Sequence, residues 1–111
     1  MTVEEKLWVL IQRLLTKTQE GQVHWEKTAI AGVFQTAFPS YIVKLSPRSN
    51  DFVISIINEY GSVVETSDDV ALAQAFPSSG VYAKMQELHE LARREALGVD
   101  AALDSLLGEL G

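Results

Sequence analysis

An α+β fold is predicted by two changes of hydrophobic period and by the shortness of the joints between alternating segments. Apolar residues recur at three- and four-residue steps near the start, alternate from Val23 to about Thr66, and return to helical spacing after Gly80. Joints of a few residues connect antiparallel neighbours, because a parallel crossover needs a dozen residues or more. The expected layout is an N-terminal helix, a five-stranded antiparallel meander sheet, a long C-terminal helix and a short terminal helix, in one domain over residues 1–111.

The first helix has a start signal. Thr2 stands three residues before Glu5, the spacing at which a hydroxyl and a carboxylate satisfy each other's free backbone donors. Val3, Leu7, Leu10, Ile11, Leu14 and Leu15 form its apolar stripe, with Trp8 at the edge, and Gly21 is a left-handed stop.

The five expected strands are Val23 to Thr28, Val33 to Phe38, Tyr41 to Leu45, Phe52 to Asn58 and Ser62 to Thr66. Ala31-Gly32, Pro39-Ser40, "SPRSND" and "NEYG" between them carry turn residues. The fourth strand is apolar on both faces, Phe52, Ile54 and Ile56 on one and Val53 and Ile57 on the other, which predicts an interior position in the sheet. The third strand sets Tyr41, Val43 and Leu45 against Ile42 and Lys44, the mixture expected of a half-solvated strand.

Beyond the sheet, Asp68 or Asp69 is expected to cap a short helix over Val70 to Ala75, which Phe76-Pro77 ends. Ser78 or Ser79 is expected to cap the long helix, whose apolar positions are Val81, Met85, Leu88, Leu91 and Ala92. Arg93 and Arg94 suit its last turn, and Gly98 stops it. Asp100 is then expected to cap the terminal helix, with Leu103, Leu106, Leu107 and Leu110 along one side.

Composition narrows the function. Fifteen acidic against nine basic side chains give a formal charge of −6, and the Lys and Arg are dispersed, so a phosphate backbone or an anionic membrane is not an expected partner. With no cysteine there is no disulfide, thiolate nucleophile or sulfur ligand. No basic leader precedes an apolar run, and no run reaches the roughly 18 apolar residues of a membrane span. A cytoplasmic setting is the expectation.

Local signatures of catalysis are missing. In "VHWEKT" a strand would put His24, Glu26 and Thr28 on one face, where His24 and Glu26 could supply two metal ligands; a catalytic zinc takes three. The plainer expectation is the polar face of an edge strand, with Trp25 anchoring the core. "HELAR" begins like the zinc-protease pattern but has Arg93 where the second His belongs, so His89 is expected as an exposed helical residue or a hydrogen-bonded boundary residue. Asp68-Asp69 and Glu4-Glu5 have helix-start duties, no "GxSxG" elbow is present, and the seven glycines are scattered singly rather than gathered into a phosphate cradle. No cofactor or metal is expected.

The remaining signal is apolar surface. Ile42, Val53, Ile57 and Val64 are candidates for a second apolar sheet face, covered either by the long C-terminal helix or by a partner. The stripe Leu103, Leu106, Leu107 and Leu110 is the other candidate, since so short a helix is marginal unless docked. Docking on its own domain is the simpler expectation for that helix. The functional expectation is a non-enzymatic protein–protein interaction module, a small acidic adaptor with a chaperone-like or inhibitor-like role, forming a homodimer. The alternative is a small-ligand or metal-dependent pocket between sheet and helices using His24, Glu26, Ser78 and Ser79.

Overall fold

A computed structural model describes residues 1–111. The elements run α1 (Val3–Gln19), β1 (Glu26–Lys27), β2 (Phe34–Ala37), β3 (Tyr41–Arg48), β4 (Asp51–Asn58), β5 (Val63–Asp68), α2 (Asp69–Ala75), α3 (Val81–Leu97) and α4 (Val99–Leu110). The sheet is an antiparallel meander in the order β1-β2-β3-β4-β5, so β4 is an interior strand as its two apolar faces imply.

Helix α1 begins and ends as its residues dictate. The Thr2 hydroxyl accepts the Glu5 N–H at 3.1 Å while the Glu5 carboxylate accepts the Thr2 N–H, a complete capping box. At the far end Gly21 takes φ +73°, which lets the Gly21 and Gln22 N–H groups return to the carbonyls of Thr18 and Lys17.

Strand boundaries differ from expectation at the first strand and at the joint between β3 and β4. Only Glu26 and Lys27 of the expected first strand pair with β2, since the Trp25 N–H is taken by the Glu95 carboxylate rather than by a neighbouring strand. Conversely, "SPRSND" belongs largely to a hairpin. The β3–β4 ladder continues through Pro47↔Phe52 and Arg48↔Asp51, leaving Ser49 and Asn50 as a two-residue turn with Ser49 at φ +52°. Pro47 has no N–H to give and lies near the hairpin end of the ladder, while the N–H of Phe52, one residue past the β4–β5 pairing, donates to the Asp69 carboxylate at 2.7 Å.

The core lies on one face of the sheet. Phe34, Val43, Leu45 and Ile54 pack against Leu7, Ile11, Leu14 and Leu15 of α1 and Val81, Met85, Leu88 and Ala92 of α3 in one continuous cluster. Helix α3 contacts β1, β2 and β4, and α1 packs beside it. Helix α2 closes the β4–β5 end of the core with the fully buried Leu72, and Trp8 stacks on Phe76 just beyond it, ring centroids 6.2 Å apart.

Three helix expectations need correction. The residue at the N-cap of α3 is Gly80, in the left-handed region, and neither Ser78 nor Ser79 caps it. Helix α4 starts one residue after Gly98, which ends α3 and begins α4 at once, so Asp100 sits inside the first turn and makes no cap bond. Most consequential, α4 does not dock on its own domain: it contains no buried residue.

Candidate interaction surfaces

Helix α4 is the most exposed apolar element of the molecule. Its leucines lie at 20° to 40° steps around one flank by the 100° per residue of a helix, and Leu103, Leu106, Leu107 and Leu110 are 51%, 54%, 66% and 84% exposed. Asp100 and Asp104, four apart, border the stripe on one side and Glu109 borders it on the other; the helix carries no cation. Its only substantial neighbour is α3, to which Gly98 joins it at φ +65°.

The outward sheet face is the second surface. Ile42 and Ile57 are directly opposed across β3 and β4, and Val63 faces Ile57 from β5. Val64 is the extra residue of an irregularity between Ile56 and Ile57, and is half-exposed. Ile57 is itself buried but stands outside the continuous core, as expected of a side chain sheltered by its strand neighbours on the far face. Val53 lies further along the same face, separated from Ile57 by Ser55, whose hydroxyl is 3.2 Å from that of Thr66. Arg48 and Asp68 close that end with a 2.7 Å ion pair. Helix α3 covers the opposite face, through Phe34 and Phe52, and leaves this one open.

The residues of the pocket alternative are placed apart from one another in their bonding. His24 Nδ1 lies 3.1 Å from the Glu95 carboxylate, whose other oxygen accepts the Trp25 N–H. Glu26 instead accepts from the Gln35 amide at 2.9 Å. Ser78 and Ser79 are exposed in the turn before α3, and none of the five principal surface depressions is lined by His24, Glu26, Ser78 or Ser79. No group of three His, Asp or Glu side chains is arranged to hold a metal ion.

His89 is a boundary residue, half-buried rather than exposed. Its Nε2–H donates to the Gly32 carbonyl at 2.8 Å, and its ring is wedged between Phe34 and Phe52, at centroid distances of 5.2 and 5.1 Å. The turn it ties down needs a glycine: Gly32 has φ +80°, and a Cβ there would come within 3.3 Å of Pro47. Next to it, Arg93 grips the Glu90 carboxylate with Nε at 3.0 Å and Nη2 at 2.6 Å, and Arg94 adds a third bond. These guanidinium bonds hold Glu90 down at a pKa of about 2.

A third surface escaped sequence reading. Along the outside of α1 run Lys6, Leu10, Arg13 and Lys17, and Leu10, Arg13, Leu14 and Lys17 border an open, mainly apolar groove completed by Val23 and Phe38. A second depression, between Met1, Lys6, Val9, Leu10 and Arg13, adjoins it at Leu10 and Arg13. The signal was present as three cations at positions 6, 13 and 17, which share one helix flank.

No family model matches the chain, and no curated protein or solved structure is significantly similar to it. No helix is long and apolar enough to cross a membrane.

Proposed function

We propose that this protein is a non-enzymatic protein–protein interaction module whose docking element is α4, and that its basic assembled form is a homodimer. The observation that carries the reading is the four-leucine stripe of α4, every member more than half exposed on a helix with no buried residue. A helix of twelve residues is marginal in water when alone. Burying a leucine contributes roughly 1.5–3 kcal/mol, so a surface that covers this stripe stabilises both the helix and the assembly.

The acidic balance and the absence of a local catalytic signature support a binding role over a chemical one. The role is that of a small adaptor or inhibitor-like binder, in the cytoplasm on the sequence grounds given above. The test is sedimentation of the purified full chain beside a Leu106→Lys/Leu110→Lys variant. A dimer in the parent and a folded monomer in the variant support the reading; equal masses at every concentration, with no loss of any bound protein, contradict it.

A further inference from the structure

Two surfaces of this chain complement each other in apolar character, charge and length. Helix α4 offers an apolar stripe edged by Asp100, Asp104 and Glu109, with no cation. The α1 groove offers an apolar floor of Leu10, Leu14, Val23 and Phe38 edged by Lys6, Arg13 and Lys17. Lys6 and Arg13 make no ion pair, and Lys17 reaches only the exposed Glu20, at 3.6 Å. At about 1.5 Å per residue, the twelve residues of α4 and the stretch from Lys6 to Lys17 are each roughly 17–18 Å long.

From this fit we infer that α4 of one copy seats in the α1 groove of a second copy, and that the exchange is reciprocal. The inference rests on the interaction reading above and names its partner surface. Pairing α4 with α4 would bring two acidic helices together without a cation between them, and like charges at close range oppose association. A reciprocal exchange instead buries two helices and two grooves, closing about a two-fold axis as most homodimers do. It also doubles the area over a single helix contact, toward the roughly 800 Å² per partner of a stable interface. Gly98, left-handed between α3 and α4, is the joint from which the arm leaves its own domain, and the molecule is correspondingly drawn out to 53 Å along one axis.

The absence of native cysteine makes cross-linking unambiguous. Leu10→Cys copies mixed with Leu107→Cys copies are expected to form a covalent dimer on mild oxidation, well above either variant alone. Charge reversal gives an independent readout. Arg13→Glu/Lys17→Glu and Asp100→Lys/Asp104→Lys should each weaken the dimer by about tenfold or more, and mixing the two variants should restore it, because each reversed helix then meets a reversed groove.

A dimer abolished by Leu106→Lys/Leu110→Lys but indifferent to both charge reversals overturns the groove assignment and leaves the interaction reading standing. A chain carrying both Leu10→Cys and Leu107→Cys that cross-links only within itself places the helix on its own domain, and overturns both.

Discussion

The Asp69 carboxylate accepts the backbone N–H of Phe52 at 2.7 Å, binding the first turn of α2 to the start of β4. Asp69 is 5% exposed, so its carboxylate satisfies a donor that water cannot easily reach. Replacing Asp69 by Ala leaves that N–H without a partner and should cost about 1–3 kcal/mol. Equilibrium denaturation reads the loss directly; an unchanged midpoint would mean the N–H finds another acceptor.

Its neighbour acts through the helix end. Asp68 is the N-cap of α2, accepting the Ala71 N–H at 2.7 Å, and it also meets Arg48 at 2.7 Å. The Ala71 N–H and the Arg48 guanidinium hold its carboxyl below the usual carboxylate range. Asp68→Ala should cost about 1 kcal/mol at neutral pH. The penalty should shrink in acid, because a carboxylate with a depressed folded pKa stabilises above its unfolded value and stops doing so as the pH falls through the folded one.

Glu90 gives a defined acid window. Its pKa is lowered from 4.5 to about 2, first by the Arg93 hydrogen bonds, so its contribution is complete above the unfolded value and fades as pH falls from about 4.5 toward 2. Solvent reaches 42% of its side chain, which screens the pair and keeps the effect small. Glu90→Gln should therefore be slightly less stable than the parent at pH 7 and equal to it near pH 2. Urea melts across that range would test the convergence.

Sequence periodicity located the elements well because burial on one face imposes it. Val43 and Leu45 are buried while Ile42 and Lys44 are not, the alternation visible in the letters. What periodicity could not show was which partner a backbone group would choose. The Trp25 N–H goes to Glu95, seventy residues away, which truncates β1, and the Phe52 N–H, just past the end of the β4–β5 pairing, goes to Asp69. Both outcomes depend on tertiary neighbours.

The candidate surfaces were legible to a different degree. The leucines of α4 stood out as a stripe, but whether they were covered depended on the direction in which the chain leaves Gly98. The α1 groove was invisible because Val23 and Phe38 join Leu10 and Leu14 only after folding.

His24 and Glu26 should be dispensable for stability. Both are exposed and bonded to different partners, Glu95 and Gln35, so His24→Ala and Glu26→Ala are each expected to change stability by no more than about 0.5 kcal/mol. A thermal-shift series with divalent metals should leave the parent unmoved. A metal that raises the melting temperature of the parent but not of these variants would restore the pocket reading, since a ligand preferring the native state must stabilise it.

Hydrogen exchange at the α4 amides, followed as the full-length protein is diluted, tests the central claim most directly. If a second copy covers the leucine stripe, those amides are protected in concentrated solution, lose protection on dilution, and exchange fast at all concentrations in Leu106→Lys/Leu110→Lys. Protection that ignores concentration, or exchange that is fast throughout in the parent, would contradict a helix held by another chain.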